Sequence, residues 1–132
     1  MIGVDTNVLL RLYVGDDPVQ HRAAVSFFQA RTETSPAFVR LVVFVEFVWS
    51  PRKTYGYSNK DVMNLVSRLL SVNDIRLEYR DVVADAIVAA ENLRVGLADA
   101  LIALANVADG CSATVTFDKV AARRIPSMEL LS

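Results

Sequence analysis

Five short apolar runs alternate with longer segments of helical character along this chain, and that alternation constrains its fold more than any other feature. The runs are Ile2–Val4, Ala37–Val39, Ile75–Leu77, Thr114–Phe117 and Met128–Leu131. Between them the pattern predicts a helix over Val8–Val14 and a second that starts at Asp17-Pro18, a cap followed by proline, and runs to about Arg31. Ser58 caps a further helix with Val62, Met63, Leu65, Val66, Leu69 and Leu70 on its apolar side. Val82–Leu93 and Leu97–Ala108 read as two alanine-rich helices joined at Val95-Gly96, and Lys119–Arg124 as a short one. Leu41–Trp49 is ambiguous: its valines and phenylalanines favour a strand, while its length and continuity allow a buried helix. Strands separated by helices imply a parallel sheet with helices on both faces, hence an α/β fold. In such sheets ligands bind beyond the carboxyl ends of the strands. Asp5 and Asp118 each follow an apolar run and so face that crevice if their strands are neighbours.

A chain of 132 residues, 53% of them hydrophobic, fits a single domain over residues 1–132 with a full core. No apolar run is long enough to span a membrane; the longest, Leu41–Trp49, is interrupted by Glu46 and followed by Pro51. The chain enters an apolar strand at once, with no basic region ahead of it, so no secretory signal is expected. Cys111 is the one cysteine, which excludes an intramolecular disulfide and a thiolate metal site; the expected location is cytoplasmic. The formal charge of −1 argues against a generic DNA-coating protein. If four carboxylates bind metal, 14 cationic side chains face 11 acidic ones, a net +3 that suits a polyanionic substrate.

Four acidic residues stand out: Asp5, Glu46, Asp99 and Asp118. Each has an ordinary explanation. Asp5 can cap the helix that follows it, and Asp118 the helix at Lys119. Asp99 lies in the first turn of a helix, where the dipole favours negative charge. Glu46 interrupts an apolar run and either reaches the surface or pairs with Arg40 or Arg52. Together the four are compatible with one end of a sheet. Carboxylates packed together repel one another, and a divalent cation relieves that repulsion. Oxygen donors select Mg²⁺ or Mn²⁺ over zinc. His21, the only histidine, is expected on a surface helix as a solvated side chain.

These residues resemble a family. Val4-Asp5-Thr6-Asn7-Val8-Leu9 is similar to the opening of PIN-domain nucleases. Glu46-Phe47-Val48-Trp49 with Tyr55-Gly56, Ala98-Asp99-Ala100-Leu101-Ile102-Ala103 and Thr116-Phe117-Asp118-Lys119 resemble the second, third and fourth motifs of the VapC-type toxin branch. The resemblance implies a PIN-like, three-layer variant of the doubly wound fold, with a parallel sheet of about five strands and the first strand central. It also makes Leu41–Trp49 a helix. It further implies RNA, single-stranded or looped, as substrate, Mg²⁺ or Mn²⁺ as cofactor, a homodimer, and a VapB-like antitoxin as partner. Asp5, Glu46, Asp99 and Asp118 would then be the catalytic and metal-binding set, with Thr6, Asn7 and Thr116 orienting them by hydrogen bonds. Arg11, Arg40, Lys119, Arg123 and Arg124 are candidate phosphate contacts, with solvated surface charge the ordinary reading of each.

Ser50-Pro51 departs from the family pattern. A proline here clashes with the Phe47 carbonyl, so a kink or an early helix end is expected. Two rival functions compete. A phosphoacceptor signalling domain also uses an acidic Mg²⁺ pocket, but it needs an aspartate after the middle strand, where this chain has Glu78. A catalytically weak module that binds RNA or a partner is the second, and the presence of all four acidic residues argues against it.

Overall fold

The computed structural model describes residues 1–132, and its contacts divide into two compact units, 1–78 and 79–132. The N-terminal unit runs β1 (Ile2–Gly3), α1 (Thr6–Tyr13), α2 (Pro18–Gln29), β2 (Ala37–Val39), α3 (Leu41–Tyr55), α4 (Asn59–Ser71) and β3 (Ile75–Leu77). The C-terminal unit runs α5 (Arg80–Leu93), α6 (Leu97–Ala108), β4 (Thr114–Thr116), α7 (Lys119–Arg124) and β5 (Met128–Leu130). The expected α/β class holds, and every strand pair is parallel. The five strands lie in two sheets, one of order β1-β2-β3 and one of β4-β5. Within the first, β2 and not β1 is central, with Ala37 in register with both Ile2 and Ile75.

α3 resolves the ambiguous segment as a helix. Phe44, Phe47, Val48 and Pro51 are buried, and their spacing of three, one and three residues marks one helical face. Val42, Glu46 and Trp49 are exposed on the same helix. Valine-rich composition suggested a strand, but burial follows the helical period, so packing overrides propensity. The helix also runs through Pro51 to Tyr55, so the early end expected at Ser50-Pro51 does not occur. Pro51 is itself buried, and Gly56, left-handed at φ 68°, closes the helix. The backbone N–H groups of Gly56 and Tyr57 both donate to the Pro51 carbonyl. At the other end, the Glu78 carboxylate accepts from the backbone N–H of Leu41 at 3.1 Å and from Arg40 Nη1 at 2.9 Å. The first of these bonds, then Arg40, holds the Glu78 carboxyl below its ordinary pKa.

Ser58 caps α4 as expected, and with Asp61 it forms a capping box. Its hydroxyl accepts from Asp61 N at 3.2 Å, and the Asp61 carboxylate accepts from Ser58 N at 3.0 Å. In the C-terminal unit, Arg94 takes a left-handed conformation between α5 and α6, and its carbonyl accepts from Arg124 at 2.6 Å. Ala103, Ala121, Ile125 and Met128 form one buried apolar cluster of that unit, with Leu93 and Val95 packed against it. No helix is long and apolar enough to cross a membrane.

Two substitutions separate packing from capping. Phe44→Ala, at a fully buried position, is expected to cost about 3–5 kcal/mol. Ser58→Ala is expected to cost about 1 kcal/mol. Urea denaturation measures both; equal losses would contradict the assignment of Phe44 to the core.

Candidate active-site carboxylates

Asp5 sits at the turn from β1 into α1 and is the N-cap of that helix. Its Oδ1 accepts from Thr6 N at 2.8 Å. Thr6 is 5% exposed, the one polar residue in the core, and a buried hydroxyl requires a partner. It finds one in Glu46, donating from Oγ1 to Oε2 at 3.0 Å. The second and first acidic motifs are therefore tied through a single threonine, and the partner of Glu46 is Thr6 rather than Arg40 or Arg52. Glu46 itself is exposed, because α3 turns it away from the buried face.

Asp118 is the N-cap of α7, and its Oδ1 accepts from Val120 N at 2.9 Å and Ala121 N at 3.0 Å. The Thr116 hydroxyl accepts from the backbone N–H of Asp118 at 3.0 Å, so it fixes the main chain of Asp118 and not its carboxylate. Asp99 lies in the first turn of α6, half-buried. Burial pushes its carboxyl above the ordinary aspartate value, and the nearby charge of Asp118 pushes it further the same way.

A pattern runs through these residues. Asp5, Glu46 and Asp118 each commit one carboxylate oxygen to holding the local fold and leave the other without a protein partner. Asp99 commits neither and is destabilised as an anion. Holding the fold thus occupies one oxygen of each of the other three side chains and leaves the second able to accept a ligand. Neither unit by itself gathers three of His, Cys, Asp and Glu into a group able to hold a metal ion; each brings two carboxylates. The donor chemistry is oxygen throughout. The two softer donors are elsewhere: Cys111 is exposed, and His21 is not a freely solvated side chain but donates from Nδ1 to the Arg11 carbonyl at 2.8 Å. Such a set suits a hard divalent cation and not zinc.

Of the remaining candidates, Asn7 is exposed and lines, with Asp5, Arg11 and Phe27, a cavity of about 550 Å³ in the N-terminal unit. Arg11 is held by Asp16 at 2.7 Å and by Gln20 at 2.6 Å. Tyr55 donates to Asp16 at 2.8 Å and, ahead of Arg11, keeps its carboxyl below the ordinary value. This network joins α1, α2 and α3, and it occupies Arg11, which the sequence offered as a phosphate contact. Arg40 is bound to Glu78, which leaves that residue, after β3, occupied in holding the start of α3. Lys119 and Arg123 are exposed and lie in no salt bridge. Arg124 is bonded to the Arg94 carbonyl.

The PIN-domain family profile matches residues 2–126 of this chain. Among curated proteins there is no significant match. Among solved structures, the crystal structure of VapBC2 from Rickettsia felis bound to a DNA fragment from their promoter aligns over 99% of this chain and 98% of that chain, with 17% identity and a TM-score of 0.40.

The raised pKa of Asp99 has a defined consequence for metal-free protein. The folded state holds this proton to higher pH than the unfolded chain, so the contribution of Asp99 is fully present below its unfolded value of 3.8 and is lost as pH rises through its folded value. Asp16, Asp61 and Glu78, all lowered, act in the opposite sense. Asp99→Asn is therefore expected to leave the apo protein more stable than wild type near neutral pH, with the difference shrinking as pH falls below the aspartate range. Urea denaturation over a pH series measures this; a pH-independent difference would contradict the assignment.

Proposed function

The chain belongs to the PIN-domain family, and from that premise we propose that it is a metal-dependent ribonuclease, the toxin of a VapBC-type toxin–antitoxin pair. Residues 1–132 then form one PIN domain. Asp5, Glu46, Asp99 and Asp118 supply the carboxylates of a single Mg²⁺ or Mn²⁺ centre. The observation that carries this reading is the division of labour among the carboxylate oxygens. Three of the four side chains are fixed by one oxygen and present the other, which is how a rigid ligand set is made without flexible side chains. The fourth, Asp99, gains most from a cation, since its anion is disfavoured by burial and by Asp118.

In this mechanism a bound divalent ion supplies an acidified water and stabilises the charge that develops on the phosphate. The chain's own groups do the positioning. Thr6 fixes the aim of Glu46 through Oε2 and, through its backbone, that of Asp5. The first turn of α7 fixes Asp118, and Thr116 fixes the backbone beneath it. No side-chain nucleophile is required. Of the candidate phosphate contacts, Lys119 and Arg123 remain available to meet RNA phosphates, because neither is committed to a salt bridge or to a carbonyl as Arg11, Arg40 and Arg124 are. The motifs of the toxin branch point to a VapB-like antitoxin as the partner, to a homodimer and to the cytoplasm as the place of action.

Cleavage of RNA in the presence of Mn²⁺ by wild type and by Asp5→Asn tests the proposal. Asparagine caps a helix about as well as aspartate, so the fold survives while the anionic ligand is lost. The expected outcome is an unchanged circular dichroism spectrum with cleavage reduced to background. Equal activity in the two proteins would refute the site. Thr6→Val should lower cleavage while Thr6→Ser retains it, since only serine keeps the bond to Glu46.

A further inference from the structure

Two aromatic side chains are left unexplained by the carboxylate site. Trp49 is 57% exposed and Phe117 is 77% exposed. Trp49 lies on the exposed side of α3, three residues after Glu46 and seven after Val42, facing away from the buried Phe44, Phe47, Val48 and Pro51. Phe117 immediately precedes Asp118, on the turn that leads into α7. In both units, then, a proposed ligand carboxylate is flanked by a large ring held out in water, where apolar surface is disfavoured.

Neither ring has a partner of the kind other aromatics here possess. The ring pairs are Tyr13–Phe47, Phe27–Phe28 and Tyr55–Tyr57. The guanidinium contacts fall on Phe27, Phe38 and Tyr13. Cations follow both exposed rings in sequence: Arg52 and Lys53 on the next turn of α3, and Lys119 and Arg123 on α7. All four are exposed and lie in no salt bridge.

An exposed ring followed in sequence by unpaired cations is an arrangement that suits unpaired nucleic acid, with bases stacking on the aromatic and phosphates meeting the charge. We infer that Trp49 and Phe117 are each a stacking platform for an unpaired nucleobase of the substrate. The inference rests on the nuclease reading and adds to it the side chains that select single-stranded substrate, because a base inside a duplex has no free face to offer. An apolar protein partner would account for the rings, but not for the uncommitted cations that accompany each of them.

Trp49 is the only tryptophan in the chain, so intrinsic emission reports on that ring alone. The test uses the full chain without divalent metal, which prevents cleavage, and an unstructured mixed-sequence RNA oligonucleotide. Anisotropy of fluorophore-labelled RNA reports binding, and Trp49 emission with unlabelled RNA reports stacking. Emission should be quenched in step with binding, and a blunt duplex of the same sequence should leave it unchanged. Trp49→Ala and Phe117→Ala should each bind about tenfold more weakly, with circular dichroism unchanged, and Trp49→Phe should retain most of the affinity. Unchanged emission despite binding, or alanine variants that bind as wild type does, would overturn the inference and leave the nuclease reading standing. A wild-type chain that neither binds nor cleaves RNA would remove that reading, and this inference with it. Emission that changes with protein concentration alone would assign Trp49 to contact with a second copy, which also overturns it.

Discussion

A single buried hydroxyl organises the N-terminal half of the proposed site. Thr6 is buried at the start of α1, where leaving its hydroxyl unmet would be costly. Glu46 is the acceptor, forty residues away on α3. Because the same residue's backbone N–H is held by Asp5, one threonine sets the positions of two carboxylates from distant parts of the chain. A bond to an ionised acceptor is among the stronger hydrogen bonds available, and leaving either partner unmet is costly. Fold and site are coupled at this point: what closes α1 against α3 also aims Glu46.

The C-terminal unit solves a different problem. Asp118 is anchored by two backbone N–H groups at the start of α7, whereas Asp99 has no such support and is opposed by burial and by its neighbour's charge. An arrangement that disfavours an anion detracts from stability unless something else uses that charge. A divalent cation would turn the repulsion between Asp99 and Asp118 into shared attraction. The ordinary and functional explanations of these residues are therefore not alternatives. Helix caps at Asp5 and Asp118 are real, and they are also what makes the remaining oxygens stationary.

Much of this was legible in the sequence. The five strands fall where short apolar runs stand, and Leu97–Ala108 is helical over the residues its composition indicated. The capping roles of Asp5, Ser58 and Asp118 follow from residue type ahead of a helical period. Other features were not legible because they depend on distant partners. Local propensity could not decide Leu41–Trp49, where only burial of Phe44, Phe47, Val48 and Pro51 reveals the helical face. A kink or an early end was expected at Pro51; the helix does not end there but continues to Tyr55, with Pro51 buried and its carbonyl accepting from Gly56 and Tyr57. The bond from Tyr55 to Asp16 and the choice of Thr6 as partner of Glu46 join residues 39 and 40 positions apart, which no short spacing connects. The exposure of Trp49 and Phe117 belongs to the same class, since sequence gives an aromatic residue but not the side it faces.

The central claim is that four carboxylates from two units of the chain serve one ion. A crystal structure of the Mn²⁺-loaded protein, with the ion located by its anomalous scattering, tests this most directly. The account predicts an ion held, directly or through water, by oxygens of Asp5 and Glu46 together with those of Asp99 and Asp118. An ion bound by the carboxylates of one unit alone, with the other pair remote from it, would contradict the account.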